Sequence, residues 1–371
     1  MKKNLIYGFM ACAAVFMVSC AKDSSKSEVP ASDVVGFSTY LGRDVQSRAA
    51  VLDDANLVDF GVFASYTKSE DWTNASGFNF MFNQKVTKTA GSWDYTPKKY
   101  WPTTKGEKIS FWAYAPYASG KAIAVKSTKT STGLPQITYT ISNIESAEDF
   151  TAATLMNEVK SATTNPDGNT RSVEFTLRHE LTRVNIKAKL DKAVATETKV
   201  NIKSITFKGD DLATVGTYTF ANADDARGSW TLDTKADIVI DPLMAKETTS
   251  LGGYTEAGVR LQDATAVPLF GANKYLFLIP SGGETGTTAA GKIKLEIEYD
   301  IVTVDASLNA GYSVSSATKE IDLPASTLKQ GKAYLYTLTF YTNEIVLSAS
   351  VEGWGTEEGE DDDVDWNDVD K

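Results

Sequence analysis

Histidine is almost missing from this chain and cysteine is scarce: among 371 residues there is one His and there are two Cys. A Ser–His–Asp triad needs a positioned histidine, and a zinc site needs several nitrogen or sulfur ligands. The single candidate, His179, sits in the strand-like run Val173–Leu181, where it reads as a hydrogen-bonded structural histidine. Of the cysteines, Cys12 lies inside an apolar leader and Cys20 at its end, so no thiol remains for a disulfide or a nucleophile in the body of the protein. No Gly-rich phosphate loop stands between a strand and a helix; Gly282-Gly283 follows Ile279-Pro280-Ser281 as a turn. Acids are scattered, and no carboxylate pair is singled out for glycoside hydrolysis. Long amphipathic helices are lacking too. The expectation is a protein that is not an enzyme and carries no cofactor and no metal.

Charge is unevenly placed. The formal net charge is −11, and Glu352–Lys371 holds ten acids against one lysine. The body is therefore nearly neutral, which argues against nucleic acid as a partner. The run reads as a solvated tail; it lacks the Gly-punctuated ligand spacing of an EF-hand loop, and cation binding there stays an open reading.

What is present begins with the leader. Lys2 and Lys3 precede an apolar run from Leu5 to Val18 that is short for a membrane span and fits a secretory signal peptide over residues 1–19. It ends Met17-Val18-Ser19-Cys20, the pattern of a bacterial lipobox, so Cys20 is the expected lipidation site and residues 20–32 a lipidated linker. Acyl chains contribute roughly 0.8 kcal/mol per buried CH₂, enough for several chains to hold the protein to the outer membrane.

Thr, Ser, Val, Tyr and Phe are abundant in the rest of the chain, as half-buried pleated surfaces require. In Val34–Leu41, Val35, Phe37 and Leu41 share one face. Further strands are expected at Leu57–Ala64, Phe78–Val86, Trp93–Tyr95, Ile109–Pro116, Ile137–Ile141, Val173–His179, Val184–Leu190, Val200–Phe207, Gly216–Phe220, Tyr275–Ile279, Ile293–Tyr299 and Tyr334–Phe340. Ala147–Asn157 is read as one or two helical turns. Short strands at regular spacing with Gly, Pro, Asn and Asp turns indicate an all-β fold of two sandwiches, one over 33–182 and one over 183–354, with an acidic tail over 355–371. The last strand, Ile345–Val351, turns Ile345, Leu347, Ala349 and Val351 to one side. It either completes its own sheet or is offered to a neighbour as an added strand.

In order and spacing these pieces resemble the fimbrillin-like proteins, the type V pilins of anaerobic Gram-negative bacteria. The likeness runs from the lipobox at Cys20 through Ser47-Arg48-Ala49, Phe60-Gly61-Val62-Phe63-Ala64, Met81–Val86, Trp93–Pro102, Ile109–Pro116 and Phe175–Leu181 to Gly331-Lys332-Ala333-Tyr334. The resemblance implies two transthyretin-like Greek-key β-sandwich domains and export as a lipoprotein. It also implies cleavage by an arginine-specific protease in a loop after the first strand. The matching bond is Arg48–Ala49, with Arg43–Asp44 a poorer match, and residues 33–48 would be removable. Val35, Phe37 and Leu41 would then plug an acceptor groove until processing, and Ile345, Leu347, Ala349 and Val351 of another subunit would fill it. The long tail after Trp354 departs from the pattern and leaves stalk, tip and membrane-anchor subunit all open.

The leading expectation is thus a structural subunit of adhesive fimbriae at the cell surface, polymerising with other pilin subunits. The alternative is a non-polymerising surface lipoprotein that binds a host glycan or host protein. Trp72, Trp93, Tyr95, Tyr100, Trp101, Trp112 and Tyr114 would supply its stacking platform, though core packing is the commoner use of such residues.

Overall fold

The computed structural model describes residues 33–41, 51–118, 120–141, 143, 148–160, 172–192, 197–240, 250–270, 274–281, 292–324, 328–341 and 344–352. Among them there is no α-helix, and there are 22 strands. The first ten are β1 (Phe37–Tyr40), β2 (Asp59–Lys68), β3 (Met81–Thr89), β4 (Ser92–Asp94), β5 (Lys108–Ala115), β6 (Ile123–Val125), β7 (Gln136–Thr140), β8 (Thr151–Val159), β9 (Val173–Thr176) and β10 (Arg178–His179). Then come β11 (Thr182–Leu190), β12 (Thr198–Lys208), β13 (Ala213–Thr219), β14 (Ser229–Lys235), β15 (Ile238–Val239) and β16 (Val259–Leu261). The chain ends its described part with β17 (Val267–Pro268), β18 (Leu276–Leu278), β19 (Lys294–Val304), β20 (Tyr312–Asp322), β21 (Ala333–Phe340) and β22 (Ile345–Glu352).

A six-stranded sheet, ordered β10-β8-β5-β2-β3-β4, is the middle layer of the first half. Its central strands are buried on both faces, which is why Phe60–Ala64 and Phe111–Ala115 are continuous apolar runs instead of alternating ones. Phe60, Val62, Ile109, Phe111 and Ala113 face one core, shared with β1 and β9. Phe63, Trp112 and Tyr114 face the other, shared with a four-stranded sheet ordered β14-β13-β7-β6. Gly61 is needed here: it stands opposite Tyr114, and a Cβ at this position would lie 2.3 Å from the tyrosine ring.

The four-stranded sheet joins the two halves, because β7 pairs with β13 from Val215↔Thr140 to Thr219↔Gln136. The second half packs two sheets, β17-β11-β21-β22 and β15-β12-β19-β20, around a separate core. Alternation lets β18 serve two cores: Leu276 and Leu278 face this one, and Phe277 faces the aromatic core of the first half.

Two expectations are corrected. Ala147–Asn157 is not helical over its described residues; Thr151–Val159 is a strand lying between β5 and β10. The small, β-branched run Thr151-Ala152-Ala153-Thr154 has both faces covered, and that burial outweighs alanine's helical preference. Val173–His179 is not one strand, because the chain changes sheets at buried Leu177: β9 pairs with β1, and β10 with β8. The β20 strand escaped the sequence reading. It is exposed along almost its whole length and has no alternation to detect, yet it pairs with β19 over eleven positions.

Candidate assembly groove and donor strand

The first strand is a short segment with a deep seat. Val35 is fully buried, and Phe37 and Leu41 are nearly so. β1 runs parallel to β9 with Phe37 opposite Val173. The Phe37 ring stacks on Phe175 at 5.6 Å, meets Phe60 and Phe111 edge-on at 6.1 Å each, and tilts against Tyr95 at 5.4 Å. Backbone hooks fix the strand at both ends. Val35 N–H donates to the Lys99 carbonyl, and the Trp101 and Val173 N–H groups donate to the carbonyls of Asp33 and Gly36, all within 2.9 Å. Leu177 N–H reaches the Tyr40 carbonyl at 2.8 Å, and the Tyr95 hydroxyl reaches the Val35 carbonyl at 2.7 Å. Burial pushes the Tyr95 phenol up to about 12, so it stays a proton donor to that carbonyl throughout the physiological range.

From Val51 onward the next described segment has polar anchors that do not involve β1. Asp53 caps its own turn, accepting from the Ala55 and Asn56 N–H groups at 2.9 and 2.8 Å, while the Asn56 amide donates to the Val51 carbonyl at 2.7 Å. Leu52 N–H donates to Asp149 Oδ2 at 3.0 Å. That oxygen also lies 2.8 Å from His179 Nδ1, and Asp149 Oδ1 accepts from Phe150 N–H at 2.7 Å. The lone histidine therefore orients a buried carboxylate that anchors the chain. This segment also meets the first strand: Leu41 N–H donates to Asp54 Oδ1 at 3.1 Å, and Leu52 and Leu57 pack in the core that Val35, Phe37 and Leu41 fill. Cys20, Arg43, Arg48 and Ala49 lie outside the described residues, as do the tail from 353 onward and its acids.

The last strand is an edge strand. β22 pairs antiparallel with β21 along eight positions, from Phe340↔Ile345 to Ala333↔Glu352, and no described strand pairs with its other edge. Ile345 is buried, and Leu347, Ala349 and Val351 are half-buried against the second-half core; Val346, on the opposite face, is exposed. β21 is interior, held by β11 on one side and β22 on the other. Its start is locked to the junction between halves. Thr182 Oγ1 donates to the Lys329 carbonyl at 2.9 Å, and Gly331 N–H donates to the Leu181 carbonyl at 3.0 Å. The Gln330 amide donates to the buried Glu180 carboxyl, which also lies 3.4 Å from Arg227 Nη1. Burial pushes Glu180 up to about 8, with Arg227 and Gln330 pulling the other way.

Most of the aromatic side chains expected for a sugar platform are interior: Trp72, Tyr95, Trp101, Trp112 and Tyr114 are buried, Trp93 is half-buried, and Tyr100 is exposed. Tyr100 borders a shallow groove with Tyr66, Phe80, Pro102, Thr103 and Glu107. Sequence alternation marked Val35, Phe37 and Leu41 as inward-facing. It did not show that Phe60, Tyr95, Phe111 and Phe175 converge on one ring, nor that Asp149 and His179 brace the returning chain; these meetings join residues far apart in sequence.

Comparison with known proteins gives one consistent picture. The sequence profile described as Fimbrillin-like matches residues 48–354. The chain is 30% identical over 370 residues to a protein named fimbrium subunit Fim1C from Phocaeicola vulgatus, covering 93% of this chain and 95% of that one. It is also similar to the crystal structure of a fimbrial protein from Bacteroides vulgatus, with a TM-score of 0.72 and 29% identity over 87% of this chain and 99% of the other.

Proposed function

Because this chain belongs to the fimbrillin-like family, we propose that it is a structural subunit of cell-surface adhesive fimbriae, assembled by strand replacement. On this reading the two halves are transthyretin-like Greek-key sandwiches meeting near residue 182. The protein leaves the cell as a lipoprotein acylated at Cys20 and rests on the outer membrane. An arginine-specific protease cuts between Arg48 and Ala49, and β1 leaves with the severed segment. A strand of another subunit then fills the vacated groove, and the edge strand β22, with Ile345, Leu347, Ala349 and Val351 on its inward face, is this chain's own donor to the next subunit.

The observation that carries this reading is that the segment after residues 42–50 has polar anchors of its own, besides the core it shares with the strand before them. The strand before them fills a core, and the segment after them has its own anchors at Asp53 and Asp149, so a cut between them frees the strand without unravelling the body. Loss of β1 leaves apolar pockets and unsatisfied backbone donors at Trp101, Val173 and Leu177, a template for a new strand. Each large side chain seated there contributes on the order of 1.5–3 kcal/mol. Donor and acceptor surfaces differ, so the contact is heterologous and propagates as a filament.

The test is N-terminal sequencing of surface-displayed protein together with an Arg48→Ala variant. Ala49 as first residue, and loss of SDS-resistant ladders in the variant, are expected; normal polymerisation by Arg48→Ala refutes the mechanism. A blocked Cys20 on an assembled subunit would instead identify an anchor. A second reading, a non-polymerising glycan-binding lipoprotein, is favoured by the exposed Tyr100 groove with the Glu107 carboxylate at its edge. Glycan-array binding that Tyr100→Ala abolishes, in a stable monomer retaining residues 20–48, is its signature.

A further inference from the structure

We infer that the groove vacated by β1 selects an incoming strand with an aromatic side chain at its second inward position, so the strand it prefers is not the β22 strand of a second copy of this chain. The inference rests on the strand-replacement reading and adds the character of the incoming strand to it.

Inward along β1 the residues run Val35, Phe37, Thr39, Leu41: apolar, aromatic, small, apolar. The second place is a box of four aromatic rings, Phe60, Tyr95, Phe111 and Phe175, with centroids 5.4 to 6.1 Å from that of Phe37. Only a planar ring contacts all four walls in the edge-on and stacked arrangements that aromatic quadrupoles favour. The inward face of β22 reads Ile345, Leu347, Ala349, Val351. Laid in the direction of β1, it puts Leu347 in the aromatic box and Ala349 at the small position, a match in outline that leaves the box underfilled. Laid the other way, it puts Ala349 in the box and Leu347 at the small position, which is worse at both. The strand with aromatic inward residues, β21 with Tyr334, Tyr336 and Phe340, is interior to its sheet and is held by partners on both edges. Neither β22 nor β21, therefore, is suited to fill this groove, which fits a strand of the pattern apolar–aromatic–small–apolar running parallel to β9.

The test uses the full chain, nicked by an arginine-specific protease within residues 42–50 and still holding its severed segment. Three fluorescent peptides compete for the groove: Val34–Leu41, Glu344–Val351, and Glu344–Val351 carrying Leu347→Phe. Fluorescence polarisation reads their capture. The expected result is that Leu347→Phe captures about tenfold or more tightly than the unmodified β22 peptide, because an underfilled core site loses both contacts and transfer energy. If the Val34–Leu41 peptide exchanges but Leu347→Phe falls short of that tenfold gain, aromatic selection is wrong while strand replacement stands. If no peptide exchanges, not even Val34–Leu41, the groove does not open and strand replacement fails together with this inference.

Discussion

Phe37→Ala is the most direct challenge to β1 as a core-filling plug. Phe37 is 6% exposed and has four aromatic neighbours, so truncation opens a cavity between two layers that cannot easily collapse. A buried Phe→Ala change costs roughly 3–5 kcal/mol. In the intact chain this lowers the urea stability of the first half, followed by the fluorescence of Trp93 and Trp101, which share that core. In protein nicked after Arg48 the same energy acts on retention of the severed strand. At 1.4 kcal/mol per decade, its dissociation constant rises ~140- to 3,700-fold. Tyr40→Ala is the control: Tyr40 is 40% exposed on the same strand, and its loss changes stability by about 0.5 kcal/mol or less. A Phe37→Ala penalty below ~1 kcal/mol, or one equal to that of Tyr40→Ala, removes the basis for a plug, since a surface substitution costs no more than that.

Three further outcomes are expected. Glu180, pushed up to about 8 by burial, binds its proton more tightly when folded than unfolded, so its contribution is full below the ordinary carboxyl value of 4.5 and is lost as pH rises through about 8. Chemical unfolding of wild type against Glu180→Gln should show the difference in stability changing across that window and flat outside it; a constant difference refutes the assignment. Asp149→Ala removes the acceptor of the Leu52 and Phe150 N–H groups, at about 1–3 kcal/mol for each left unpaired, and takes the carboxylate from His179. Limited proteolysis read by mass spectrometry should then find cleavage reaching Val51–Asn56, whereas an unchanged pattern shows that this anchor is dispensable. Ile345→Asp puts a charge on the inward face of β22, and hydrogen exchange should show Ala333–Phe340 losing protection while the β2–β5 pair keeps it. Retained protection along β21 contradicts the inward assignment.

The gaps in sequence legibility have physical causes. Alternation located β11, β12, β19 and β21 because one face of each is buried in a single core, and it located Val35, Phe37 and Leu41 for the same reason. It failed at β8, where small residues covered on both faces carry no period, and at β20, where almost nothing is buried to create one. The Glu180–Arg227–Gln330 junction was invisible because its members come from three distant segments.

By itself the sequence determined the class of protein. The β-rich composition, with short alternating runs parted by Gly, Pro, Asn and Asp turns, pointed to an all-β protein, because each strand carries its own burial pattern. Only the tertiary structure decided how the strands are shared. It placed a middle sheet between two cores, carried the β13–β14 hairpin across to the first half, and closed four rings around Phe37. Periodicity reports which face of a strand is buried but not against what, because the partner that buries it lies elsewhere in the chain.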